Sequence, residues 1–165
     1  MQLLFLHGAG GYEDDQALAT RLGAAAGVQP RMPRVPDENM SYEGWAVPIR
    51  AALGDLGPED LVVGHSFGGS VLLKVLAERA WPLTRAILLA VPCWRPEGWD
   101  QSEYAFDGAE PPQTLVLHQC RDDEVVPFEH LALNAAALPR ARVVEHAHGG
   151  HQLDEVDADA LLSSR

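Results

Sequence analysis

The sequence predicts an α/β chain, a three-layer α/β/α sandwich built on a mainly parallel sheet. Three observations predict it. Short, continuous apolar runs recur along the chain, and such runs mark strands covered on both faces. Segments with helical apolar spacing separate them, the alternation from which parallel sheets are built. Each apolar run also ends on glycine or on residues with chemical character, and ligand sites in open parallel sheets lie beyond the carboxyl ends of the strands.

The elements follow in order. Gln2–Leu6 reads as a strand that ends at His7-Gly8. Residues from about Asp14 to Ala26 read as a helix, with Leu18 and Leu22 on one face. Val28–Val35 is broken by Pro30 and Pro33 and followed by Pro36, so it reads as a short edge strand or an extended loop. Ser41–Leu56 carries Trp45, Ile49, Ala52, Leu53 and Leu56 on a helical face, with Pro48 expected to shift the helix start. Leu61–Val63 is a buried strand, and the helix after it has an inward stripe of Val71, Leu72, Val75 and Leu76. Ala86–Val91, Thr114–His118 and Ala141–Glu145 are further strands, and Phe128–Leu138 and Gln152–Leu162 are further helices. Between Pro92 and Gln113 lies a long irregular stretch containing Trp94, Trp99, Tyr104 and Phe106. Loops of that length are usually functional, and its aromatics favour a packed one.

A chain of 165 residues that is 47% hydrophobic is long enough for one domain, 1–165, with a core that needs neither disulfide nor metal. Twelve Lys+Arg against 24 Asp+Glu leave a net charge of −12, which argues against nucleic acid and anionic membrane as partners. No run approaches the roughly 20 apolar residues that span a bilayer. The start, Met1-Gln2-Leu3-Leu4-Phe5-Leu6, lacks a basic segment and meets His7-Gly8 too soon for a signal peptide. Cys93 and Cys120 form no disulfide framework and read as free thiols in a reducing cytoplasm.

The strand ends carry the chemistry. They present His7-Gly8-Ala9-Gly10-Gly11, then Gly64-His65-Ser66, then Pro92-Cys93-Trp94, then Arg121-Asp122-Asp123, then His146 through His151. A serine, aspartates and histidines converge on one edge, in the chain order Ser, Asp, His. Gly64-His65-Ser66-Phe67-Gly68 fills G-x-S-x-G between a strand and a helix. In that setting the turn projects the serine Oγ above the sheet, and the flanking glycines let strand and helix approach.

On these residues the chain resembles the α/β-hydrolase superfamily. Its size, the His-Gly start, the Gly-His-Ser-x-Gly-Gly elbow, the Asp-Asp-x-x-x-Pro segment and the late Gly-His are similar to the small cap-less serine hydrolases of the YdeN and retinoblastoma-binding-protein type. The resemblance implies a minimal form of that fold, without its first two strands and without a helical cap. It implies a Ser66 nucleophile. Asp123-Glu124-Val125-Val126-Pro127 matches the D-x-x-V-P pattern that carries the acid in many of these enzymes, which selects Asp123, with Asp122 as runner-up. Gly149-Gly150-His151 ahead of an expected final helix selects His151 as base, with His148 second and His146 left in the strand. The resemblance places the oxyanion hole at the N–H groups of Phe67 and Ala9, with Gly10 as the alternative to Ala9. It implies an ester or thioester as small-molecule or acyl substrate, no cofactor and no metal. Activity would fall on the acid side as the base protonates.

Trp94, Trp99, Tyr104 and Phe106 are candidates for the wall of an acyl site, or for a seal on the sheet edge. Without a cap the site should be shallow and open. Cys93 and Cys120 stand near strand ends, so a thiol reagent is expected to inhibit by crowding. His7, His65, His118 and His130 read as structural, with ring nitrogens satisfied locally. Two rival readings remain. His146-Ala147-His148-Gly149-Gly150-His151 is similar to the H-x-H-x-D-H of metal-dependent hydrolases, but Gly150 replaces the aspartate. A non-catalytic binding protein can also use this fold, since fold alone does not set function.

Overall fold

The computed structural model describes residues 1–163. Five parallel strands form one sheet in the order β1-β2-β3-β4-β5: β1 (Leu3–Leu6), β2 (Leu61–His65), β3 (Arg85–Leu89), β4 (Thr114–Cys120) and β5 (Arg142–His146). Strand order equals chain order, so every crossover runs in the same direction across the sheet. All the carboxyl ends therefore lie along one edge, which is where the glycine loop, Ser66, Asp123 and the late histidines are delivered.

Alternate strand residues point to opposite faces. Leu4, Leu6, Val62, Ala86, Leu88, Leu115 and Leu117 share a core with α2 (Tyr42–Gly54), α3 (Ser66–Glu78) and α4 (Glu129–Ala137), through Trp45, Ile49, Leu53, Leu72, Leu76 and Leu131. Leu3, Phe5, Leu61, Val63, Ile87 and Leu89 face α1 (Gln16–Ala26) and α5 (Ala158–Leu162), through Leu18, Leu22 and Leu161. These are the three layers.

Four local outcomes differ from the sequence expectations or decide between them. Residues 28–35 form a loop with a single parallel bridge, Leu4 to Arg31; Pro30 and Pro33 offer no N–H with which to extend it. Pro48 does not move the start of α2. The helix begins at Tyr42 with Ser41 as cap, its side chain accepting from the Gly44 N–H, and carries Pro48 inside. The last helix is short. Residues 151–156 are turns, because Leu153 has φ 53, which no right-handed helix accommodates. α5 starts only after Asp157, whose side chain caps Ala160 N–H. The turn is tied instead to α1, where the Arg21 guanidinium donates to the carbonyls of Leu153 (2.9 Å), Val156 (3.0 Å) and Asp154 (3.3 Å). Finally, β5 is not covered on both faces: Arg142, Val143 and Glu145 are exposed at the sheet edge.

Candidate active site

β2 ends on His65 and α3 begins at Ser66 with no residue between them. The junction residue is left-handed: Ser66 has φ 50, a region L residues other than glycine rarely occupy. Three glycines make room for the turn. Gly64 and Gly69 lie backbone to backbone, and Gly68 lies directly against the carbonyls of Leu6 and His7 at the end of β1. The serine is thereby lifted to the strand edge, half-buried, with Gly8 packed against its Cβ.

Asp123 and His151 are brought together from the loops after β4 and β5. His151 Nδ1 lies 3.1 Å from both Asp123 oxygens. The carboxylate is fully buried. Its Oδ1 also accepts from the N–H groups of Val125 and Val126, each at 2.9 Å. Burial pushes the Asp123 carboxyl up, but the His151 ring and these two N–H donors outweigh it and hold the group below its ordinary value. Asp122 points elsewhere: it accepts from Gly150 N–H (2.9 Å) and Gly149 N–H (3.4 Å), and His148 Nδ1 stands 3.4 Å away. It shapes the glycine turn in which Gly149 and Gly150 have φ 135 and 61.

Ser66 and His151 line one pocket of about 800 Å³, together with Gly8, Ala9, Phe67 and Gln152. That volume is within the range of ligand pockets. Ser66 and His151 share no hydrogen bond among the described residues; such bonds commonly tighten only when substrate binds. Phe67 lies in the first turn of α3, where N–H groups lack helical acceptors. In the glycine loop, Gly8 N–H is held by Asp15, Gly10 N–H by Asp37 and Gly11 N–H by the Gly8 carbonyl. Among the described residues this leaves the Ala9 N–H uncommitted.

Trp94, Trp99 and Tyr104 line the same pocket beside Met40 and Val125. Their rings and that of Phe67 meet edge to face at centroid distances of 4.9 to 5.9 Å. Phe106 is not part of this wall. It is buried in the core, beside Lys74, Ala77 and Glu78 of α3.

No family model matches the sequence, and no curated protein shows significant sequence similarity to it. Solved structures do resemble it. The ydeN gene product of B. subtilis superposes with a TM-score of 0.74 at 20% identity, covering 98% of this chain and 91% of that one. Mouse alpha/beta hydrolase domain-containing protein 10 gives 0.75 at 15% identity, covering 98% and 86%. Est1E from Butyrivibrio proteoclasticus with ferulic acid bound gives 0.77 at 16% identity, again covering 98% and 86%.

The chain has the α/β-hydrolase fold. Within that fold it is a minimal version. Every strand pairing is parallel, so the antiparallel strands that usually open the sheet are missing from the described residues, and a loop without helix joins β3 to β4 where a cap is usually inserted. No helix among the described residues is long and apolar enough to cross a membrane.

The histidines of this hydrolase fold separate by partner. His7 donates from Nδ1 to the Gly8 carbonyl (2.7 Å) and accepts at Nε2 from Val35 N–H (3.0 Å). His130 Nδ1 accepts from Cys93 N–H, and His118 Nδ1 lies 3.0 Å from His146 Nε2. His146, His148 and His151 therefore face His118, Asp122 and Asp123 respectively, and do not converge as metal ligands. Cys93 and Cys120 are both buried, and burial, with the charges of Asp122 and Asp123, pushes the Cys120 thiol up to about 12. Such burial runs against the expected attack by thiol reagents.

One buried pair beside the site was not legible in the sequence. Asp15, only 1% exposed, meets His65 Nδ1 at 2.9 Å. Burial pushes the Asp15 carboxyl up, but the His65 contact outweighs it, assisted by Gly8 and Gln152, and the net displacement is downward. The sequence offered only two adjacent aspartates opening a helix, an ordinary composition for a first turn.

Proposed function

We propose that the protein is a serine hydrolase that cleaves a carboxylic ester or thioester through an acyl-Ser66 intermediate. One observation carries the reading: Ser66, held at φ 50 on the strand edge, opens into the same pocket as a histidine whose far nitrogen is bound by a buried carboxylate. In this reading His151 Nε2 takes the Ser66 proton as Oγ attacks the carbonyl carbon. The oxyanion is received by Phe67 N–H and Ala9 N–H. Collapse expels the alcohol or thiol, which leaves with the proton held by His151. A water then repeats the sequence on the acyl-serine, giving the carboxylic acid and free Ser66. Asp123 keeps the ring in the tautomer with Nδ1–H and stabilises the imidazolium.

The aromatic wall supports an apolar acyl or aryl group, with Trp94, Trp99 and Tyr104 as the contacting side chains. Ferulic acid, the ligand bound to the similarly folded Est1E, is an aryl carboxylic acid, the class of acyl group this wall would suit. The test is intact-mass analysis after a fluorophosphonate probe, on wild type and Ser66→Ala. A single adduct on wild type and none on the variant supports the reading. No adduct on folded wild-type protein overturns it in favour of a binding module.

A further inference from the structure

Asp15 is the residue immediately before α1, and its carboxylate is almost completely buried. Oδ2 accepts from the Gly8 N–H (2.8 Å) and from His65 Nδ1 (2.9 Å), while Oδ1 accepts from Gln152 Nε2 (2.9 Å). On the other side of the His65 ring, Nε2 lies 2.9 Å from the carbonyl oxygen of His151. The chain of contacts thus reaches the glycine loop that carries Ala9, the residue before Ser66, and the turn that carries His151.

The direction of the outer bond follows from the partner. A carbonyl oxygen only accepts, so His65 Nε2 carries a hydrogen and donates it to His151. The Asp15 carboxylate holds the ring from its other side, at Nδ1. The pair acts as a directional strut. The strut matters because the turn holding His151 has no helix of its own, and proton transfer requires the ring within hydrogen-bond reach of Ser66.

We propose that His65 and Asp15 are positioning residues: the Asp15–His65 pair holds the His151 main chain, and through it the imidazole, against Ser66. The proposal rests on the hydrolase reading above. It predicts that the two halves of the strut are separable, because a glutamine amide places an N–H near the position of Nε2 and an asparagine amide places one near Nδ1. His65→Gln keeps the donor to His151; His65→Asn keeps the donor to Asp15 and releases His151.

The experiment titrates competent sites with a fluorophosphonate carried to completion, then measures p-nitrophenyl butyrate hydrolysis per titrated site. A role in folding alone changes the number of titrated sites and leaves kcat per site untouched. The strut predicts that His65→Asn lowers kcat per site roughly 10- to 100-fold, the scale of a small misplacement of a reacting group. KM should stay within about twofold, and His65→Gln should retain activity within about threefold of wild type. Equal losses in the two variants, or wild-type kcat per site in both, overturn the proposal. If neither variant folds, Gln152→Met removes only the half-buried donor to Oδ1; a fall in kcat per site of about threefold supports the strut and an unchanged value overturns it. Wild-type protein that neither labels nor hydrolyses the ester overturns the hydrolase reading, and this proposal with it. That outcome differs from a wild type that turns over and variants that match it.

Discussion

Gly64 and Gly69 stand back to back across the elbow: a Cβ on Gly64 would lie 2.6 Å from Gly69 Cα and 3.0 Å from a Leu72 methyl. The first contact is with backbone in the opening turn of α3, which cannot swing away as a side chain does. Gly64→Ala should therefore cost about 1–3 kcal/mol, the range for overpacked sites. Urea denaturation followed by circular dichroism checks it, and a midpoint equal to wild type would refute the close approach.

Ser66 pays a conformational cost that its side chain does not relieve. At φ 50 a Cβ is unfavourable by about 1 kcal/mol relative to glycine. Ser66→Gly should thus melt above Ser66→Ala by about 2–4 °C. Calorimetry on the two variants tests it, and both should fail to bind the fluorophosphonate. Equal melting temperatures would show that the turn is relaxed in the variants.

Acidification should weaken the fold in two windows, the first set by His118. Burial, followed by the charges of His146 and Arg142, pushes its pKa from 6.5 down to about 3. The unfolded chain then binds a proton that the folded chain refuses, so stability falls as pH drops from 6.5 towards 3. The slope from one such group is at most about 1.4 kcal/mol per pH unit. His118→Leu should flatten this part of the urea-midpoint profile, and a profile as steep as wild type would exclude His118 as its source.

The second window belongs to the carboxylates. Asp123 and Asp15 are both held below their unfolded value of 3.8 in the fold. Groups depressed in this way contribute stability that is present above the unfolded value and is lost as pH falls through the folded one. Asp123→Asn should remove part of the steep loss below about pH 4 while lowering stability at neutral pH. The check is the same midpoint profile, carried to lower pH.

Neither thiol should be available in the native state. Cys93 and Cys120 are 1% and 0% exposed, and Cys120 donates to the His148 carbonyl. Native protein should react with a disulfide reagent at the rate of global unfolding, and urea-denatured protein should titrate both thiols at once. Fast reaction of either thiol in native buffer would contradict the packing.

Much of the fold was legible because its code is local. Continuous apolar runs mark β1 to β4, with glycine closing the first two, and the stripes of α2 and α3 follow helical spacing. The arrangement of Ser66, Asp123 and His151 was legible because each stands at a strand end in a segment with a recognisable pattern. What was not legible depends on backbone angles or on contacts distant in sequence. Residues 152–162 have helical composition, and only the φ of Leu153 ends that reading. Phe106 looks like its aromatic neighbours in the loop, yet tertiary packing sends it to the core. Asp15 reaches Gln152 across 137 residues, a pairing that no local pattern encodes.

Two of the holds on the His151 turn come from α1 and the residue that caps it. Asp15, at the start of α1, grips Gln152, and Arg21 takes three of the carbonyls that follow. The sheet holds the same turn from the other side, through His65 Nε2 of β2 at the His151 carbonyl and Cys120 of β4 at the His148 carbonyl. The turn is thus a bridge clamped between a helix and a sheet, and its geometry records how those two layers sit against each other.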